Sequence, residues 1–182
     1  METIFNPVIG EEVIFHTTSK QSNGEKTIME ITLSPKGGNP LHYHKRFAEK
    51  FTIIDGELNV RISHMVHRLT PGNTLTAEIG QRHRFFNTSG KTTRFYCELT
   101  PASENFENVL RIGFGLARDG QAGKNGLPRS FRHMAILMNM GEGYFTGVFS
   151  LFEKVFRRIA RSEKSKRMEK TLLEKYCRQG KE

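Results

Sequence analysis

The chain has 182 residues, enough for one domain with an appendage, and its 36% hydrophobic content with 14 Phe excludes a disordered polymer. Its net charge of +9 is unevenly spread, because residues 128–182 carry 13 Lys and Arg against 6 Asp and Glu. The basic charge therefore describes the last part of the chain and says little about the rest.

The N-terminal sequence METIFNPVIGEEVIF has no basic segment followed by an apolar one, so we expect no signal peptide. The two cysteines, Cys97 and Cys177, lie far apart and match no disulfide or metal-binding spacing. Together these features predict a reduced, cytoplasmic protein.

Short strand-like segments separated by turns extend from residue 12 to about residue 100. In KTIMEITLSP, Met29, Ile31 and Leu33 alternate with polar residues, which is typical of a half-buried strand. Asp55-Gly56 is a strong hairpin signal, and the following ELNVRISHMVHRL is predicted to continue as a strand. Many short strands without intervening helices predict a mainly β protein, either a sandwich or a barrel.

After Pro101 the hydrophobic period becomes helical. Ser103 is the expected N-cap of a first helix, and the Asp-Gly pair at 119–120 is expected to end it. A second helix is predicted to begin at Pro128 and to include FRHMAILMNM. After the interruption GEGYFTG, the helical pattern resumes as VFSLFEKVFRRIARS.

The last segment, EKSKRMEKTLLEKYCRQ, is predicted to be a polar helix with a thin apolar stripe, formed by Met168, Leu172, Leu173 and Tyr176. The expected organisation is a barrel over residues 1–118, closed by a helix at about 103–118, and a helical extension over 119–182.

The segment LHYHKRFAEKF contains residue types that bind metals. Residues two apart on a strand share a face, so His42 and His44 point the same way and Tyr43 points the other. Glu49 follows after a short bend and lies within reach of the same point. Two histidines and one carboxylate leave many metals under-coordinated, and His83 is the candidate for a further ligand.

These residues resemble the two motifs of the cupins, a family of small antiparallel barrels. The first motif corresponds here to His42-Tyr43-His44, Glu49 and Gly56, and the second to Gly72, Gly80, His83 and Asn87. The chain departs from the pattern at Lys36, where a glycine is expected, and at Glu78, where a proline is usual. Neither departure touches a ligand position.

The resemblance implies a double-stranded β-helix, or jelly-roll barrel, followed here by C-terminal α-helices. It also implies that His42, His44, Glu49 and His83 bind one divalent transition metal ion. Fe, Mn, Ni, Co, Cu and Zn all suit such a ligand set. The alternative is a barrel whose histidines are satisfied by the protein and bind no metal.

Around the ligands we expect a small pocket, lined by Met29, Ile31, Phe51, Ile53, Phe85, Asn87, Phe95 and Cys97. The pocket lacks the Arg or Lys pair that a phosphate ligand requires. The resemblance therefore favours dioxygenase-type chemistry on a small organic molecule, with Glu49 as ligand and proton acceptor. The alternatives are a cupin that binds or senses a small ligand without turnover, and a cupin isomerase or hydrolase.

Cupins often pair, so a homodimer is expected. For the C-terminal helices the favoured interpretation is packing on the barrel or across a dimer, with a solvated basic last helix. Membrane-surface attachment is a weaker alternative, because the apolar stretch is followed by basic residues. Nucleic-acid binding is not expected, since no DNA-binding motif accompanies the charge.

Overall fold

The structure is a computed structural model that describes residues 1–141, 143–145 and 153–177. Within these ranges the strands are β1 (Glu2–Asn6), β2 (Glu11–Thr17), β3 (Thr27–Leu33), β4 (His42–His44), β5 (Ala48–Asp55), β6 (Leu58–Ile62), β7 (Met65–Leu69), β8 (Thr74–Ala77), β9 (His83–Phe86), β10 (Thr93–Thr100) and β11 (Gly143–Phe145). The helices are α1 (Glu104–Arg118), α2 (Phe131–Met140), α3 (Glu153–Ala160) and α4 (Glu163–Tyr176).

The described strands form two antiparallel sheets. One has the order β1-β2-β3-β10-β5-β8 and the other the order β11-β4-β9-β6-β7. The predicted alternation is confirmed in β3, where Met29, Ile31 and Leu33 are buried, and the same pattern buries Phe95 and Cys97 in β10. These inward faces form the main hydrophobic core between the two sheets. The chain is therefore mainly β, with helices that lie mostly after the strands.

The predicted turn at Asp55-Gly56 is present between β5 and β6. Gly56 has a φ of +77°, and a Cβ atom there would lie 2.7 Å from the carbonyl oxygen of Thr92. Both observations require glycine at this position. The prediction of one strand through ELNVRISHMVHRL is wrong, because the chain reverses near Ser63, whose φ is +55°, and forms the antiparallel pair β6 and β7.

The N-terminal strand β1 was not part of the predicted set. It pairs along its whole length with β2 and forms the edge of the larger sheet. Its residues Ile4 and Asn6 are buried, while Thr3 and Phe5 are exposed and Glu2 is partly exposed.

Helix α1 begins and ends as predicted. The hydroxyl of Ser103 accepts a hydrogen bond from the backbone N–H of Phe106 at 3.2 Å, as an N-cap does. Phe114 packs in the barrel core, whereas Ile112 and Leu116 belong to a second cluster on the other side of the helix. The helix is therefore packed between the barrel and the remaining helices.

The second helix begins later than predicted. Its N-cap is Ser130, whose hydroxyl accepts from the backbone N–H of His133 at 3.3 Å, so Pro128 lies in the preceding loop. A serine side chain satisfies an unpaired N–H at a helix start, which a proline cannot do.

The C-terminal helices pack on α1. The second cluster joins residues of α1 and α2 to Leu172 of α4, and the predicted stripe of Met168, Leu173 and Tyr176 packs against it. Phe156 and Ala160 of α3 pack on α2. The predicted helical segment VFSLF lies outside the described residues, and the division of the chain at residue 118 stays a prediction.

Part of the predicted interruption GEGYFTG forms strand β11. It pairs with β4, so that Tyr144 lies opposite Tyr43, and the two rings stack with centroids 5.1 Å apart. A C-terminal segment therefore supports the strand that carries His42 and His44. Over the described ranges, none of the helices combines the length and apolarity needed to cross a bilayer.

Candidate metal centre and cavity

The two sheets bring the four predicted ligands together. His42 and His44 lie on β4, His83 opens β9, and His42 is the direct strand partner of His83. Glu49 comes from β5 of the other sheet. One ligand atom from each of the four residues lies within 4.8 Å of the others. We call these four residues the quartet.

The quartet is buried, with between 1% and 8% of each residue exposed. Oε2 of Glu49 lies 3.0 Å from Nε2 of His83, and Oε1 lies 3.4 Å from Nε2 of His44. Burial acts to raise the pKa of Glu49, but the contacts with these two histidines outweigh it and hold that pKa well below its usual value. The same contact raises the pKa of His83 against the effect of burial.

Backbone carbonyl groups orient two of the imidazole rings. Nδ1 of His42 lies 2.8 Å from the carbonyl oxygen of Pro40, and Nδ1 of His83 lies 2.9 Å from that of Gln81. A carbonyl oxygen only accepts, so each Nδ1 carries the hydrogen and each Nε2 is directed to the centre of the quartet. Burial lowers the pKa of His42 to about 3, so this ring is neutral and has a free lone pair at neutral pH.

His44 is fixed by aromatic packing instead. Its ring stacks on Phe47 with centroids 4.2 Å apart, and Phe106 of α1 meets it edge-on at 5.5 Å. Within the described part of the chain, Nδ1 of His44 is buried without a hydrogen-bond partner, and Nε2 has the 3.4 Å contact with Glu49 but no hydrogen bond. An unsatisfied buried imidazole is costly, and a metal ion bound to one of its nitrogens removes part of that cost.

The residues present fit a transition metal ion. Nitrogen and oxygen ligands bind such an ion at about 2.0–2.2 Å, so ligand atoms on one ion lie no more than about 4.4 Å apart. The spread of 4.8 Å in the quartet is close to that limit. Three imidazole nitrogens and one carboxylate oxygen suit several divalent transition metals, so the chemistry of the donors does not choose among them.

Three members of the quartet, His42, His44 and Glu49, line a cavity of about 240 Å³. Barrel and helices both contribute to the wall. The residues from the barrel include His42, His44, Glu49, Glu11, Asn6, Val13, Met29, Ile31, Phe85 and Cys97. Those from the helical part include Phe106, Val109, Leu110, Gly113 and Phe114 of α1, Leu127 and Pro128 of the loop before α2, and Met134, Leu137 and Met138 of α2. The wall is largely apolar, and the side chains of two helices form one side of it. We refer to this space as the cavity.

Four of the residues predicted to line the pocket lie on the cavity wall, namely Met29, Ile31, Phe85 and Cys97. The structure places the other four elsewhere. Phe51, Ile53 and Phe95 belong to the hydrophobic core, where Phe95 and Phe51 have ring centroids 6.2 Å apart. Asn87 stabilises the loop between β9 and β10, because its NH₂ group donates to the carbonyl oxygen of Lys91 at 2.7 Å. Facing inward is therefore not enough to reach the cavity.

Sequence reasoning missed four polar residues of the cavity wall, namely Glu11, Asn6, Asn39 and Asn125. A signal for Glu11 was present, because Glu11, Val13 and Phe15 alternate along EEVIF and so share the inward face of β2. No comparable pattern was available for Asn6, which lies on the strand that was not predicted.

A family model for the cupin domain matches residues 29–98, which include all four residues of the quartet. This part of the chain belongs to the cupin superfamily. The fold agrees, since the two antiparallel sheets and the helices after them form a mainly β cupin fold with a helical extension.

Among curated proteins, an oxidoreductase of the fungus Arthrobotrys oligospora is 32% identical over 106 residues. The match covers 57% of this chain and 40% of that protein, so the chain spans less than half the length of this relative.

Two solved structures are similar in fold. KdgF from a Halomonas species has a TM-score of 0.48 at 13% identity, over 52% of this chain and 82% of that one. A cupin described as a sugar phosphate isomerase, from Silicibacter pomeroyi, has a TM-score of 0.48 at 18% identity, over 55% of this chain and 71% of that one. Neither likeness says anything about the activity of this chain.

Proposed function

We propose that this cupin is a metal-dependent oxidoreductase of dioxygenase type that acts on a small, largely apolar organic molecule. The observation that carries the proposal is the buried quartet, three members of which line the cavity. The Arthrobotrys relative is described as an oxidoreductase, which supports the proposed reaction class.

In this proposal the three histidines and Glu49 hold one divalent transition metal ion. A bound metal of this kind supplies Lewis-acid polarisation of a substrate oxygen or, for redox metals, electron transfer to O₂. Glu49 is the proposed proton acceptor, since the contacts that hold its pKa well below the usual value keep its carboxylate ionised. The apolar wall positions the substrate and excludes water from the centre.

Cys97 does not act as a nucleophile in this proposal. It is buried on the cavity wall, and burial together with the nearby Glu49 and Glu11 raises the pKa of its thiol well above the usual value. The thiol therefore stays protonated at neutral pH, whereas a reactive cysteine needs a thiolate.

The size of the cavity narrows the choice of substrate. At about 240 Å³ it lies just below the usual range of small-molecule pockets, roughly 300–1,000 Å³. We therefore expect single-ring compounds such as catechols to be better substrates than flavonols.

The test is O₂ consumption by protein loaded anaerobically with Fe²⁺ and mixed with a panel of catechols and flavonols. We expect uptake with at least one catechol, and none with the variant Glu49→Gln. Replacement of the exposed His64 by Ala is the matched control and is expected to leave the uptake unchanged. An absence of both uptake and product in the wild type contradicts the dioxygenase proposal and favours a cupin that binds a ligand without turnover.

Metal content is measured first, by elemental analysis of protein purified without a chelator or a histidine tag.

The homodimer and the cytoplasmic location also remain proposals. Light scattering coupled to gel filtration tests the homodimer.

A further inference from the structure

The cavity has a second polar group besides the quartet. Glu11 opens strand β2 on the same inward face as Val13 and Phe15 and is 7% exposed. Its cross-strand partner on β1 is Asn6, which is 2% exposed. Both residues line the cavity. A carboxyl and an amide thus lie side by side in a wall that is otherwise largely apolar.

Among the described residues, the fold leaves the NH₂ group of Asn6 and the carboxyl group of Glu11 without partners. The backbone N–H of Val8 donates to Oδ1 of Asn6 at 3.1 Å, but among the described residues the NH₂ group of Asn6 makes no hydrogen bond. Over the same residues the carboxyl group of Glu11 forms neither a hydrogen bond nor an ion pair, and burial raises its pKa to about 7. Both groups border the cavity, so their hydrogen-bonding capacity is available to whatever occupies it.

A buried carboxylate with a structural role looks different in this protein. Glu107 of α1 accepts from the backbone N–H of Ser19 at 2.6 Å and from the hydroxyl of Thr27 at 2.7 Å. It also lies 3.6 Å from the guanidinium group of Arg111. Glu107 connects α1 to the barrel through these contacts, whereas Glu11 makes no comparable contact among the described residues.

Glu11 and the quartet face one common space. The two acids lie toward opposite ends of the larger sheet, because Glu11 pairs with Leu33 at the end of β3, whereas Glu49 pairs with Leu99, the partner of Thr27 at the start of β3. Apolar side chains such as Met29 and Ile31 line the same cavity. A single small molecule can therefore meet polar groups at both ends and apolar groups along its body.

We propose that Glu11 and Asn6 bind a neutral oxygen function, a hydroxyl or a carbonyl, at the end of the substrate that points away from the quartet. The inference rests on the proposed function, since the other end of the substrate is the one held at the metal. The substrate class is a compact molecule with an apolar body and an oxygen at each end. A carboxylate at the far end is rejected, because it meets a buried acid and, among the described residues of the cavity wall, no Lys or Arg.

The chemistry of the pair explains this preference. The protonated carboxyl group of Glu11 donates to a carbonyl or hydroxyl oxygen, and the ionised form accepts from a hydroxyl. The NH₂ group of Asn6 supplies a second donor. A methyl group in place of the oxygen leaves both groups unsatisfied, and we expect this to weaken binding roughly tenfold.

Three hydroxypyranones test the inference, because they share one metal-chelating end and differ only at the other. Kojic acid carries a hydroxymethyl group there, allomaltol a methyl group and comenic acid a carboxylate. Their affinities for the full chain loaded with Zn²⁺, which undergoes no redox reaction, are measured by titration calorimetry. We expect kojic acid to bind roughly tenfold more tightly than allomaltol, and comenic acid to bind most weakly.

Two variants separate recognition from a structural effect. Glu11→Leu is expected to remove the preference for kojic acid over allomaltol. Glu11→Gln is close in shape, keeps the hydrogen bonding and removes the charge, so it is expected to keep that preference and to bind comenic acid better than the wild type does. A merely structural role would change the affinities for all three compounds by the same factor.

The outcomes distinguish this inference from the proposed function. A wild type that does not retain Zn²⁺ overturns the metal site, and the inference with it. A wild type that retains Zn²⁺ but binds kojic acid and allomaltol equally, prefers comenic acid, or binds none of the three overturns the inference alone. The same holds if Glu11→Leu keeps the wild-type preference.

Discussion

The two ends of the cavity contain carboxylates that are almost equally buried but differ in their electrostatic surroundings. Glu49 is 3% exposed and Glu11 is 7% exposed. Contacts with His44 and His83 hold the pKa of Glu49 well below its usual value, whereas burial without a partner raises that of Glu11 to about 7. Burial alone favours the protonated acid, and only neighbouring donors or charges reverse this.

This difference assigns a different chemistry to each end. A carboxylate next to two imidazole nitrogens is suited to bind a cation, since a metal ion can be coordinated by the carboxylate and both nitrogens at once. An isolated buried carboxyl group near its pKa at neutral pH is suited to exchange a hydrogen bond with a neutral molecule. The contrast between a metal end and a far end therefore predicts different consequences for the same substitution.

The largest expected effect is on metal binding. Glu49→Gln removes a ligand and the only carboxylate of the quartet. Because loss of an outer partner already costs 10–100-fold in affinity, we expect a loss of at least about 1,000-fold here. Glu11→Gln, the same change at the far end, is expected to leave metal affinity unchanged. Competition against a chromophoric chelator measures the metal affinity of both variants. Equal losses of metal affinity in the two variants would contradict the proposed difference between the two ends of the cavity.

The next effect is on stability against pH. The pKa of Glu11 rises from 4.5 to about 7 on folding, so the folded chain holds this proton more tightly than the unfolded chain does. The resulting stabilisation is complete below the unfolded pKa and is lost as pH rises from about 4.5 to about 7, for a total of about 3 kcal/mol. The pKa of the nearby Cys97 thiol is raised well above its usual value, so the thiol stays neutral in this range.

Urea unfolding of the wild type and of Glu11→Gln at pH 4 and pH 8 measures this contribution. The two chains should have similar free energies of unfolding at pH 4, and the variant should be the more stable by up to about 3 kcal/mol at pH 8. If the difference between them does not change with pH, then Glu11 has an ordinary pKa and the far end is solvated.

The smallest effect concerns the loop at the far end. Gly126 has a φ of +76°, and a Cβ atom there would lie 2.9 Å from Cγ2 of Ile9 and 3.2 Å from Nδ2 of Asn6. Gly72 has a φ of +85° and nothing within 4 Å of such an atom, so Gly72→Ala is the matched control for backbone strain alone. We expect Gly126→Ala to cost about 1 kcal/mol more than Gly72→Ala in thermal or urea unfolding. Metal content should stay unchanged in both, and a loss in Gly126→Ala would mean that the two ends are coupled.

Much of the metal end followed from the sequence. The spacing of His42 and His44 places both side chains on one face of any strand, because strand geometry has a period of two. The turn at Asp55-Gly56 and the alternation in β3 were likewise local properties, and the structure contains both. Residue type and position made Glu49 and His83 candidates, although one follows a bend and the other is distant in sequence, and the resemblance to the cupins then joined all four residues in one ligand set.

Local pattern was less informative where the outcome depended on how elements meet. Phe51 and Phe95 face inward as alternation requires, but packing fills their part of the interior and they do not reach the cavity. The start of α2 at Phe131 was set by the Ser130 cap and not by Pro128. Such choices depend on competition between nearby caps or on contacts between distant segments, which periodicity does not contain.

By itself, then, the sequence determined the set of metal-binding residue types, the face on which the paired histidines lie and the order of strands before helices. Only the tertiary structure decided that α1 and α2 complete the cavity and that Glu11 faces it without a partner. The physical reason is the distance along the chain over which each property is decided. Side-chain direction along a strand is a local property of the backbone, whereas the open volume and the electrostatic surroundings of a buried acid depend on every element that packs around it.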